Sequence, residues 1–216
     1  MNIKPDLSGF FNDVKRLFKL NMINSEQEYQ NKTQQLLLSD TLRMECLRAV
    51  KSLNLPDCFL GAGFLRNAIW DCLHNKGEIT PLNDIDVVYF DTEDISCKTE
   101  QELAAKLKVL VPSMNWEVRN QARMHVKHND QPYRNTTDAI SRWVEIPTCV
   151  GVRLDEGEQL VFTAPFGLTH NWAPNVGINP KRPMPDIFYR RIEEKSWLQV
   201  WPLLNIISTD KAHKIE

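Results

Sequence analysis

Two carboxylates one residue apart, Asp84 and Asp86, open an apolar run that continues through Val87-Val88-Tyr89-Phe90. Side chains on a strand alternate faces, so both aspartates project to the same side, roughly 6.5–7 Å apart along the chain. Ile85 and Val87 point the other way. Like charges sharing a face repel unless a cation lies between them, and oxygen donors favour Mg²⁺ or Mn²⁺. Asp91 has the opposite parity and drops out of the set. An isolated Asp-x-Asp is more often a solvent-facing strand end than a metal site, so the pair needs support from elsewhere in the chain.

Support comes from both sides. Upstream, Gly61-Ala62-Gly63 stands just ahead of a helical pattern. Such a turn exposes backbone N–H groups at a helix N-terminus, where the dipole favours an anion and glycine permits close approach. Arg66 and Asn67, one turn into the helix, could add contacts to a phosphate. The turn has neither the Gly-Lys-Ser/Thr ending of a Walker loop nor a Gly-x-Gly-x-x-Gly dinucleotide fingerprint. Downstream, Glu117 lies between Trp116 and Val118, a lone acid on an apolar strand. A third acidic ligand is what a two-metal site needs if it is to activate an attacking oxygen as well as hold a triphosphate. Arg119 shares the face of Glu117 and is read as a phosphate or acceptor contact, or else as a partner for that acid. Asp71, Thr148 and Arg153 are secondary candidates. His125 and His128 have a spacing that can bind metal on a helix but lack a third ligand, and read as solvated surface residues.

The elements that must position these groups follow from periodicity and caps. Helical spacing covers residues 5–20, 25–38 and 41–53, the last two behind Ser25 and Ser39-Asp40. Residues 57–60 read as a strand, 64–74 as a helix with one apolar stripe, and 85–90 as a strand. Thr99 and Glu102 form a capping box for a helix that stops at Pro112. Residues 115–120 form the next strand, residues 136–143 a short helix, and 149–154 with 159–163 a hairpin. A last helix is predicted over 186–197. Seven of the twelve prolines fall from Pro147 onward, which predicts a loop-rich C-terminal third.

Composition bounds the function. The 216 residues are 42% hydrophobic and 25% charged, enough for one large domain or a core with an appended lobe. A net charge of −2 advertises neither nucleic acid nor membrane; there is no strong sign of DNA binding, and a long RNA acceptor is disfavoured. No apolar run approaches the length of a membrane span, and the charged N-terminal segment does not resemble a signal peptide. Five cysteines without paired or ligand spacing read as reduced thiols. A cytoplasmic protein is expected.

Glycine turn and helix, Asp-x-Asp strand and then an acidic strand, in this order, resembles the polymerase-beta-like nucleotidyltransferase superfamily, in particular an uncharacterised bacterial branch. The resemblance is carried by Gly61-Ala62-Gly63-Phe64-Leu65-Arg66-Asn67-Ala68-Ile69-Trp70-Asp71, by Asn83-Asp84-Ile85-Asp86-Val87-Val88-Tyr89-Phe90-Asp91, and by the segment from Trp116 to His125. It continues through residues 148–154 and 164–168 and the tail around Lys195, Trp197, Trp201 and Pro202. It implies an α+β fold: a mixed sheet flanked by helices, with N-terminal helices and a loop-rich C-terminal part. The expected division is an N-terminal helical segment, residues 1–54; a nucleotidyltransferase core with the metal site, 55–125; and a C-terminal part, 126–216, that completes the domain or forms a small lobe.

The implied activity is Mg²⁺- or Mn²⁺-dependent transfer of a nucleoside monophosphate from an NTP, expected to be ATP, to a hydroxyl acceptor. Carried over by motif, Asp84, Asp86 and Glu117 are the catalytic metal ligands. Gly61, Ala62, Gly63, Arg66, Asn67 and Arg119 are the nucleotide and phosphate contacts. The chain departs from the pattern in having Gly-Ala-Gly, without a hydroxyl, at the turn and glutamate as third acid. Small-molecule, protein and RNA acceptors stay open. A binding module without turnover is the competing reading. Phosphohydrolase chemistry at Asp91 would need Asp-x-Asp there, and Asp94 falls one place too late.

Overall fold

The computed structural model describes residues 25–207; the helix expected over residues 5–20 lies outside them. Helix α1 covers residues 25–38, and α2 (Thr41–Lys51) follows with Asp40 as its cap, accepting from the Arg43 N–H. Strand β1 (Phe59–Gly61) leads into α3 (Gly63–Leu73), and β2 is Ile85–Tyr89. Helix α4 (Cys97–Leu110) starts two residues before the predicted box. Ser96 caps it by accepting from the Thr99 N–H at 3.3 Å, so Thr99 stands inside the first turn rather than at the cap.

Strand β3 (Trp116–Asn120) runs directly into α5 (Gln121–His128), a helix missing from the sequence reading. Then come α6 (Thr136–Ile140), a 3₁₀ turn (Ile146–Thr148), and the predicted hairpin β4 (Gly151–Leu154) and β5 (Leu160–Thr163). The C-terminal region holds α7 (Thr169–Trp172), β6 (Asn175–Gly177), α8 (Pro185–Glu194), α9 (Trp197–Val200) and β7 (Asn205–Ile207). The single last helix expected there is two, because Ser196 adopts a left-handed conformation at φ 51° that no helix continues through.

The α+β architecture is a five-stranded mixed sheet in the order β3-β2-β1-β4-β5. Only β2 and β3 run parallel; the other neighbours are antiparallel. Ile85, Val87 and Val118 have no exposure and face a core shared with Leu47, Phe64, Leu65, Leu103 and Leu107 from α2, α3 and α4. Burying each such side chain contributes on the order of 1.5–3 kcal/mol, which fixes the strand register by parity. The aspartates must then take the opposite face.

A second core sits beyond α3. Trp70 packs edge-on against Trp197 and Trp201, with ring centroids 5.4 and 5.1 Å apart, among Val176, Ile178, Phe188 and Ile192. The side of α3 opposite its predicted stripe is therefore covered as well. Asp71, buried there, accepts from the Thr80 N–H at 2.8 Å, the Thr80 hydroxyl at 2.6 Å and Trp201 Nε1 at 2.7 Å. One carboxylate thus ties the 75–83 loop and the C-terminal region to α3, which makes Asp71 a positioning residue. Replacing Asp71 by Ala strands three donors and is expected to destabilise the fold by about 2–4 kcal/mol. The midpoint of urea unfolding measures this, and a change too small to resolve would show that the three bonds do not hold the region.

Candidate active site

The parallel pairing of β2 with β3 sets Asp86 directly beside Glu117. Paired residues project to the same face, so Glu117 joins Asp86 and, two residues earlier, Asp84. All three line one cavity of about 370 Å³, and the two aspartates also line a second of about 330 Å³. This face of the sheet is walled by residues 140–149, with Ile140 and Cys149 packed on Phe59 and Val88. Asp91 is elsewhere, in a turn where its carboxylate accepts from the Glu93 N–H at 2.8 Å.

Crowding and burial act on these acids together. Asp86 is pushed up from 3.8 to about 6, first by burial and then by the charges of Asp84 and Glu117. Arg66 and Lys195 pull the other way. Among the described residues no three acidic, histidine or cysteine side chains converge closely enough to enclose an ion as they stand. Glu117 lies 3.6 Å from Arg119, with both side chains 44% exposed. The donor set nonetheless suits a hard divalent cation: carboxylate oxygens only, on one face of two hydrogen-bonded strands, with one acid held above its ordinary range. Asp84, Asp86 and Glu117 are the residues that could hold it.

The turn before α3 is built differently from its motif. Gly61 carries the ring of Trp143: a Cβ there would stand 2.6 Å from Trp143 Cη2. Packing alone thus requires glycine at this position. Ala62 holds φ 52° and ψ −120°, a region that suits glycine and costs an alanine on the order of 1–3 kcal/mol. Its N–H donates to the Val150 carbonyl at 3.0 Å, which anchors the turn to the strand side. A Cβ on Gly63 would lie 3.5 Å from Arg66 Nη2, in contact with that guanidinium.

Arg66 is 4% exposed. Its Nη1 donates to Thr148 Oγ1 at 2.7 Å, and its Nη2 and Nε donate to Asn67 Oδ1 at 3.0 and 3.2 Å. Its guanidinium lies 4.8 and 4.5 Å from the ring centroids of Trp70 and Trp197, in the corner that these near-perpendicular rings make. Burial lowers it to about 10, so it stays charged at neutral pH. None of its hydrogen-bond or ion-pair partners among the described residues is a carboxylate, and it lines the smaller cavity beside Asp84 and Asp86. Asn67 and Thr148 orient this guanidinium.

Two residues depart from their sequence reading, and a third had none. Arg153 sits over Phe59, on no wall of these cavities. His128 is partly buried, its Nδ1 3.1 Å from the Tyr133 hydroxyl, and it lines the larger cavity rather than free surface. Arg191, which the sequence reading passed over, holds the wholly buried Glu145 through Nε at 2.6 Å and lines both cavities, as Lys195 does. Helical spacing placed Arg191 on α8 without indicating that α8 faces the site.

The raised pKa of Asp86 has a consequence for stability. A group that binds its proton more tightly folded than unfolded stabilises the fold below its unfolded pKa, and that contribution is lost as pH rises through the folded value. Above pH 6, in the absence of divalent metal, the ionised Asp86 therefore destabilises the protein. Asp86→Asn is expected to melt about 3–6 °C higher than wild type at pH 7.5, with the gap closing by about pH 4. A variant that is less stable throughout would contradict this environment.

A family model described as nucleotidyltransferase matches residues 48–206. A solution NMR structure, described as revealing a CCA-adding enzyme head domain, is 30% identical to this chain. It superimposes with a TM-score of 0.73 over 83% of this chain and 96% of that one. Two structures of CCA-adding enzymes, one with CTP and one from Thermotoga maritima with tRNA_CCA, share the fold at 14% identity and a TM-score of 0.52. Each match covers 81% of this chain but only 43% and 42% of theirs. No protein with a curated description matches. The family model takes in both carboxylate strands, the glycine turn and the wall around them, and on that match the chain belongs to the nucleotidyltransferase family.

Proposed function

We propose that the protein is a divalent-metal-dependent nucleotidyltransferase that moves a nucleoside monophosphate from an NTP to a hydroxyl acceptor. The observation that carries this reading is the in-register pairing of Asp86 with Glu117, with Asp84 on the same face. Asp84, Asp86 and Glu117 would hold Mg²⁺, which when bound supplies positive charge to the reacting phosphate. The smaller cavity would take the triphosphate. Gly63, the buried Arg66 and Lys195 line it, and none of the hydrogen-bond partners of Arg66 among the described residues is a carboxylate. A fixed guanidinium without an acidic partner suits a group that arrives bearing its own negative charge.

In this reading the acceptor oxygen forms a bond to the α-phosphorus while the bond from that phosphorus to the bridging oxygen breaks. Pyrophosphate leaves with the bonding pair, and the hydroxyl proton passes to Glu117. The chain's contribution is chiefly positioning and fixed charge. ATP is the NTP we expect.

The test is pyrophosphate release with each of the four NTPs, Mg²⁺ and cell extract as the acceptor source. Wild type is expected to release pyrophosphate only with Mg²⁺ or Mn²⁺, and Asp84→Asn and Asp86→Ala to lose at least about 100-fold while remaining folded. Full activity in both variants would overturn the assignment. Tight NTP binding by wild type without any pyrophosphate would favour the binding-module reading.

A further inference from the structure

The two cavities meet across Asp84 and Asp86, but they are not equivalent. Gly63, Arg66 and Asn67 line only the smaller one, whereas Glu117, Arg119, Lys127 and Arg182 line only the larger. If the triphosphate lies in the smaller cavity, displacement at the α-phosphorus requires the attacking oxygen to enter from the side opposite the leaving pyrophosphate. That side is the larger cavity, where Glu117 sits. The direction of attack rests on the transferase reading above.

The larger cavity carries more positive charge than a neutral alcohol would need. Arg119 is shared with Glu117, but neither Lys127 nor Arg182 makes an ion pair among the described residues. Arg182, partly buried, is steadied by donating from Nη2 to the His128 carbonyl at 3.3 Å. Lys127 lies on α5 and Arg182 in the segment between β6 and α8, so the two charges come from separate elements. Neither cation lines the smaller cavity, which leaves both without a task in holding NTP phosphates there. Val88, Met124 and Trp143 line the same cavity and supply apolar surface suited to a ring.

From this we infer that the larger cavity is the acceptor site, and that the acceptor is a phosphate-bearing hydroxyl compound whose phosphate is held by Arg182 and Lys127. Arginine and lysine from separate elements match the several oxygens of a phosphate. A phosphorylated sugar and the 3′ end of a ribonucleotide chain present the same chemistry, a hydroxyl with a phosphate nearby on a ribose-like ring.

Calorimetry on the full chain, with Mg²⁺ and a saturating non-hydrolysable ATP analogue, tests this without turnover. The probes are ribose 5-phosphate, a four-nucleotide RNA with a free 3′ hydroxyl, and uncharged ribose. At least one phosphorylated probe is expected to bind about tenfold or more tighter than ribose, and its identity tells which source the site prefers. Arg182→Gln and Lys127→Gln should each weaken that probe by about tenfold, with Arg182→Lys recovering part of the loss. Phosphorylated probes binding no tighter than ribose, or variants that bind them as wild type does, would overturn the inference. Tight phosphate-dependent binding in a protein that never releases pyrophosphate would sink the transferase reading and leave the anion site standing.

Discussion

The structure turns on a repulsion that the sheet holds in place. Asp84, Asp86 and Glu117 would separate if their strands could slip, yet Ile85, Val87 and Val118 are fully buried on the opposite face. Moving either strand by one residue would turn those side chains to solvent, at a cost well beyond what separating three partly solvated charges returns. The parallel ladder then keeps Asp86 beside Glu117. The strain appears as an Asp86 carboxyl pushed up to about 6, and it is the kind of strain that a bound divalent cation relieves. Stability is given up locally so that a charged site persists.

Around that acidic centre the remaining architecture supplies cations in fixed places. Arg66 lies against a tryptophan of its own helix and against Trp197 of α9, while Thr148 and Asn67 set its orientation. Arg191 reaches from α8 to the buried Glu145. Asp71 secures the same C-terminal region through Trp201. The tryptophan-rich tail is therefore a wall of the site as well as a covering for α3, and the two cavities draw on residues from Ala62 to Trp201.

Much of this was legible in the sequence because it depends on parity and local pattern. Alternation put Asp84 and Asp86 on one face and removed Asp91, and a lone acid between Trp116 and Val118 marked Glu117. Strand order is not local: nothing within residues 116–120 says that they pair in parallel with residues 85–89, so the contact between Asp86 and Glu117 could be expected only from the family resemblance. The packing demand on Gly61 was not legible because the ring that imposes it, Trp143, lies 82 residues away. Arg66 could be placed near a phosphate from its spacing, but not buried, because Thr148 and Trp197 reach it from segments 82 and 131 residues away. His128 escaped for the same reason: helix α5 is short, and the Tyr133 that engages it lies beyond a turn.

The central claim is that Asp84, Asp86 and Glu117 act as one divalent-cation site. Mn²⁺ binding followed by electron paramagnetic resonance, with a non-hydrolysable NTP analogue present, tests it most directly, because it reads the ligands without requiring an acceptor. The account predicts specific Mn²⁺ binding in wild type, weakened by at least about tenfold in Asp86→Asn and measurably in Glu117→Gln. Equal Mn²⁺ affinity in all three proteins would contradict it.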